Sequence, residues 1–323
     1  MKTQQRTQLL CIGLLVLTLT ACYKPAPQPT LRPSIPSPTP LPPDTPDVRA
    51  GGSALVGVVT EAVAESFRAW QPHYTIALDA SGTSSGFNQM CRGEADLVSA
   101  MRPISGDEAS ACTRNGIDWL EIVIAYDVLA VAANPEDVFL DCLTVDELRV
   151  LWSEAEDWAA VREGFPPGQP LKVIAAPLHP SQEQFFAEAL HIEALRPDIS
   201  PADDAAHAAA MVLETPGAVT YLDYGGYRAG VRMGAVRALA VNAGRGCAAP
   251  EAESVWSGTY DVLARPMYLY VNAAALRRLS VSMFVSYYLS LDGQARITEA
   301  GYLPASPESY ERARAAVEAQ AGE

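Results

Sequence analysis

Apolar positions recur along this chain in two alternating rhythms. Val63, Phe67 and Trp70 fall three or four apart and stop before Pro72, which predicts an amphipathic helix; residues 74–78 then read as a strand. A polar, glycine-punctuated stretch, 80–86, runs into a second helical face at Phe87, Met90 and Cys91. Residues 119–126 and 128–133 read as two successive buried strands, the second closed by a turn at Asn134-Pro135. Thr144 and Glu147 then form a predicted capping box for a helix reaching Trp152. Ser181 and Gln184 form another ahead of Phe185, Phe186 and Leu190. Strand-like runs at 171–176, 217–222 and 236–241 fill out this middle block. An aromatic-rich strand, 263–272, returns the chain to helices over 281–291 and 310–320.

Strands alternating with helices predict an α/β fold. The order of the blocks predicts two lobes, each a mixed sheet flanked by helices, joined by two crossover segments. The first lobe is expected over about 48–132 and 264–323 and the second over about 133–263, with a ligand in the cleft between them.

The first 47 residues have a different character. Lys2 and Arg6 precede an apolar run, 9–19, too short to cross a bilayer comfortably and shaped like an export signal. It ends in Leu19-Thr20-Ala21-Cys22, which looks like a bacterial lipobox. Residues 1–22 are therefore expected to be a lipoprotein signal with Cys22 acylated, anchoring the protein on the outer face of the cytoplasmic membrane. A cleaved, unlipidated signal is the alternative. Residues 23–47 are crowded with proline and predict a semi-rigid tether.

The net charge of -15 argues against nucleic acid and anionic membrane surfaces as partners. It leaves an anionic ligand open, because distant carboxylates are screened over roughly 10 Å while local donors are not. Beyond Cys11 and Cys22, four cysteines remain, with three possible pairings. Cys91 with Cys112 and Cys142 with Cys247 are favoured, since each pair falls within one predicted lobe. A zinc site competes, but no C-x-x-C spacing supports it. His73, His179, His191 and His207 also lack ligand spacing, so neither metal nor cofactor is expected. Ser181 lies too close in sequence to His179 to imply a nucleophile and its base, and there is no Gly-Lys-Ser/Thr motif, which argues against an enzyme.

The candidate chemistry lies in Ala80-Ser81-Gly82-Thr83-Ser84-Ser85-Gly86-Phe87. A loop of this kind at a helix start aims hydroxyls and free N–H groups at one point, where the helix dipole favours an anion. Simple helix capping by Thr83 or Ser84 is the competing role. Read with residues 93–103, the segment resembles the phosphate-binding lipoproteins of ABC transporters, members of the periplasmic binding protein superfamily. The likeness continues in order through 60–67, 125–135, 142–144, 265–271 and 301–304.

That resemblance implies two hinged α/β lobes closing over a dehydrated phosphate, and an ABC permease as partner. It implies ligand contacts from Ser53, Ser81, Gly82, Thr83 and Ser181. Arg102 is a candidate for the positive charge, or for a pair with a carboxylate such as Asp107. Arg265, on a crossover, is expected to be a structural or interlobe residue outside the site. Three positions depart from the family pattern: Leu55 and Met101 replace hydroxyl residues, and Glu183 puts a carboxylate in the first turn of a cleft-facing helix. Each lost charge-assisted donor weakens binding by roughly 1.5–3 kcal/mol. The expected function is capture of phosphate or a similar oxyanion for an ABC transporter. The alternatives are an extracellular sensor or interaction module of the same fold, favoured if Leu55 and Met101 fill the cleft, and a transporter component for a larger or less charged solute.

Overall fold

A computed structural model describes residues 45–322. The predicted signal, Cys22 and nearly all of the tether lie outside the described residues. Asp47, read from the sequence as the end of the tether, is tied to the domain. Its N–H donates to Thr75 Oγ1 at 3.0 Å, and its carboxylate accepts from the Thr75 N–H at 2.8 Å.

Strand β1 (Val48–Gly52) leads into helix α1 (Ala54–Trp70), β2 (Ile76–Asp79) into α2 (Thr83–Cys91), and β3 (Leu97–Ala100) into α3 (Gly106–Arg114). The long β4 (Trp119–Ala133) follows, then β5 (Cys142–Thr144), α4 (Val145–Ser153), α5 (Trp158–Val161), β6 (Lys172–Ala175), α6 (Pro180–Ala189) and β7 (Ser200–Pro201). Next come α7 (Ala205–Glu214), β8 (Ala218–Asp223), α8 (Tyr224–Arg232), β9 (Arg237–Ala238), β10 (Ala240–Asn242), β11 (Cys247–Ala248) and α9 (Ala252–Trp256). The chain closes with β12 (Ala264–Asn272), α10 (Leu279–Tyr288), α11 (Leu291–Glu299), β13 (Leu303–Pro304) and α12 (Pro307–Ala321).

The main sheet runs β2-β1-β3-β12-β4-β8-β6-β7, with β9 and β13 also on β4; β11-β10-β5 form a small separate sheet. Strand β4 is the axis. Its first part pairs antiparallel with β12 and its last part antiparallel with β8. One core gathers around β8 and β6, from Val128 to Leu263 with Leu303 added. Two further clusters cover opposite faces of β1-β3-β12: α1, α10, α11 and α12 on one, α2 and α3 on the other.

Strand direction determines where a ligand can sit. β12 is antiparallel to both β3 and β4, so β1, β2 and β3 run the same way as β4, towards the core around β8 and β6. β6 and β8 run the opposite way, towards the clusters on β1-β3-β12. The carboxyl ends of both parallel sets, and the N-termini of α1, α2, α6 and α8 that follow them, therefore meet at the junction. In open α/β sheets this is the edge where ligands bind, at the point where strand order reverses, here between β1 and β3.

Several elements differ from their predicted form. The two strands expected over 119–133 are one, because Asp127, which interrupts the apolar run, is fully paired inside the sheet. The capping box of α4 joins Thr144 and Glu147, but that of α6 joins His179 and Gln182 rather than Ser181 and Gln184. The helix expected over 281–291 stops at Tyr288, and Ser290 caps a separate α11. The run over 236–241 is broken into β9 and β10. Disulfides join Cys91 to Cys112, linking α2 to α3, and Cys142 to Cys247, across the small sheet.

Candidate functional site

The β1–α1 and β2–α2 turns lie side by side at the junction. Ser53 N–H donates to Ser99 O at 2.7 Å and Gly82 N–H to Gly52 O at 2.8 Å, fastening both helix starts to the ends of β3 and β1. Gly52 has φ +127°, and a Cβ there would lie 2.1 Å from Ser99 O, so only glycine allows this approach. Ser53 is the N-cap of α1, buried, with Oγ 3.5 Å from Val56 N. Gly82 is the N-cap of α2 and offers no side-chain acceptor. The N–H groups of Thr83, Ser84 and Ser85, in the first turn of α2, have no intrahelical carbonyl to bond and form the open donor set here.

Arg102, just past the end of β3, reaches over this terminus. Its Nη2 donates to Ser84 Oγ at 2.8 Å and the guanidinium lies 5.5 Å from the centre of the Phe87 ring. Its carboxylate partner is Glu108, not Asp107: both Nη atoms sit 2.8 Å from Glu108 oxygens, because the capping box of α3 turns Glu108 back towards the strand. The arginine hydrogen bonds hold the Glu108 carboxyl down at about 2. Thr83 Oγ1 accepts from Met101 N–H at 3.4 Å, which orients its hydroxyl hydrogen away from that bond.

The remaining candidates are otherwise engaged. Ser81 Oγ donates to Asp79 Oδ2 at 3.0 Å and lies 2.8 Å from Ser85 Oγ, on the exposed rim. Asp79 also accepts from Gln89, and these bonds, Gln89's first, lower its pKa. Ser181 sits on α6, across the junction. Its hydroxyl is 2.9 Å from His179 Nδ1, its N–H donates to the same nitrogen, and its carbonyl accepts from Arg265 Nη2. Glu183 is exposed in the first turn of α6. Burial pushes the nearby Tyr221 hydroxyl up to about 12, with the Glu183 charge adding to it.

The departures at Leu55 and Met101 both pack towards the cluster under α1. Leu55 is 4% exposed and belongs to the cluster under α1, while Met101 packs partly against that cluster. The structure thus brings Ser53, Gly82, Thr83 and Arg102 together at the ends of β1 and β3, with Ser81 beside them and Ser181 on the facing helix. Sequence reasoning missed Gly52 as a builder of this terminus, and it named Ser84 only as a possible cap, whereas Gly82 is the cap and Ser84 carries Arg102. The doublet Gly51-Gly52 directly before the first helix carried that signal.

A family model described as a PBP superfamily domain matches residues 37–291. Protein SphX of Synechococcus elongatus is 32% identical over 269 residues, covering 81% of this chain and 79% of that protein. The phosphate-binding protein PstS of Staphylococcus aureus is 27% identical over 268 residues, covering 82% of this chain and 80% of its own. The crystal structure of a possible phosphate binding protein from Planctomyces limnophilus superimposes with a TM-score of 0.73 at 29% identity, covering 84% of this chain and 98% of that one.

Proposed function

This chain belongs to the PBP superfamily, and from that premise we propose that it is a non-enzymatic solute-binding protein that captures phosphate or a closely similar oxyanion. It delivers the ligand to an ABC permease from outside the cytoplasmic membrane, held there by lipid on Cys22. The observation that carries this reading is the convergence of helix N-termini at the strand carboxyl ends, with Arg102 laid over the first turn of α2. The names of the relatives support phosphate as the ligand.

Residues 48–132 and 264–323 act as one lobe and 133–263 as the other, hinging on β4 and β12. Ligand held by Thr83, the first-turn amides of α2, Ser53 and Arg102 on one side, and by the α6 terminus at Ser181 on the other, stabilises the closed form. Calorimetry of the full chain with inorganic phosphate tests this: saturable heat and a raised melting temperature are expected. Neither response at millimolar phosphate would remove phosphate as the ligand. A second reading, a sensor or interaction module with weak anion affinity, draws on the neutralisation of Arg102 by Glu108 and on the Glu183 carboxylate at the opposite helix start. It predicts no response to any small oxyanion in the same experiment.

A further inference from the structure

Asp127 lies in the middle of β4 and is 1% exposed. A carboxylate buried so deeply is strongly destabilising unless every oxygen is engaged. Asp127 achieves this with partners from both sides of the junction. Arg265, directly opposite in the β4–β12 register, gives Oδ2 its Nε at 3.0 Å and Nη2 at 2.9 Å. Gln182, from α6 and itself buried, donates Nε2 to Oδ1 at 2.7 Å.

Both partners do a second thing at the same helix end. Arg265 Nη2 donates to Ser181 O at 3.0 Å, and the guanidinium stacks 4.5 Å from the centre of the Phe185 ring. Gln182 Oε1 accepts the His179 N–H at 3.2 Å, closing the capping box that begins α6. The first turn of α6 is thus bolted to the strand pair, by a ring of polar contacts that engages both oxygens of Asp127. Swinging α6 away from β4 and β12 would break Gln182–Asp127 and Arg265–Ser181 together and leave one oxygen of a buried carboxylate bare.

We infer that Asp127, Arg265, Gln182 and the Ser181 carbonyl form a latch across the junction that favours the closed arrangement of the two cores, with Arg265 and Gln182 as positioning residues for the α6 terminus. Its effect on the ligand rests on the proposed oxyanion site; its effect on α6 does not. A positioning latch acts on how long the closed form lasts, so it slows ligand release and leaves encounter untouched.

The test compares the full chain with Gln182→Met, which keeps the volume, and Arg265→Lys, which keeps the charge but cannot span Asp127 and Ser181. Hydrogen exchange followed by mass spectrometry reads the first turn of α6 and the middle of β4. Stopped-flow reads inorganic phosphate association and release. In both variants exchange is expected to rise severalfold at those two places only, with phosphate release about tenfold faster and association unchanged. Unchanged exchange in both variants, or a uniform rise over both cores, overturns the latch. If the unaltered chain ignores phosphate while the local exchange still rises in the variants, the oxyanion reading falls and the latch stands.

Discussion

Gly86 of α2 presses on Gly52 of β1: a Cβ on Gly86 would lie 2.8 Å from Gly52 Cα and 2.8 Å from Val98 Cγ1. Neither obstacle is the loose end of a flexible chain. Gly86→Ala must therefore lift α2 away from β1, moving the Thr83–Ser85 amides off the strand end. A loss of about 1–3 kcal/mol in stability is expected from the overpacking, together with weaker phosphate binding. Chemical denaturation and calorimetry on the one variant measure both. An unaltered affinity would detach the α2 terminus from the site.

Arg102 and Glu183 should push affinity in opposite directions. Arg102→Gln removes the guanidinium over α2 and is expected to weaken phosphate binding tenfold to a hundredfold, the worth of about 1.5–3 kcal/mol for a charged hydrogen bond. Glu183→Gln removes a repelling charge from an exposed helix start, a change of about 0.3–1 kcal/mol, so binding tightens about two- to fivefold. Titration of both variants at low salt checks the pair. Weaker binding in Glu183→Gln would mean that the carboxylate faces the ligand as an acceptor.

The Glu108–Arg102 pair makes a prediction in acid. The folded carboxyl titrates near 2, against 4.5 for the unperturbed group. Its contribution is complete above pH 4.5 and fades as the pH falls towards 2. Arg102 is partly open to solvent, which limits the pair to about 1 kcal/mol. Glu108→Gln should therefore melt below the unaltered protein at neutral pH, with the gap closing over that acid range. A gap that persists undiminished at pH 2 would assign the loss to packing instead.

The two disulfides should differ in worth. Cys91–Cys112 closes a separation of 21 residues and Cys142–Cys247 one of 105. Loop entropy then gives about 3.3 and about 4.8 kcal/mol. Serine replacement of each pair, followed by urea denaturation, is expected to show the larger loss for the second. Equal losses would point to residual structure in the unfolded chain.

Much of this molecule was legible as periodicity and local chemistry. The Thr144–Glu147 box is a short-range pattern that needs only neighbours three apart, and the structure contains it. The α6 start was misread because histidine is an unusual cap, although Pro180 at the first helical position marked a cap at His179, two residues before Ser181. The unity of β4 was illegible for a different reason. Asp127 reads as a break in an apolar strand, and its partners lie 55 and 138 positions away. The same holds for Arg102, whose nearest acidic neighbour in sequence, Asp107, is exposed, while Glu108 is turned towards it by its own helix cap. Local signals place helix starts; which polar groups are already spent depends on contacts that no window of sequence contains.

Strand β12 lies between β3 and β4 in the sheet, yet arrives near the end of the chain. A polypeptide made from its N-terminus therefore has nearly all of the core from Val128 to Leu263 in hand while the facing edges of β3 and β4 still lack their shared neighbour. Until that strand is added, both edges carry backbone donors and acceptors without a partner. A chain cut short before residue 264 would keep most of the core around β8 and β6 yet lack the strand that joins β3 to β4, offering two open edges to other chains.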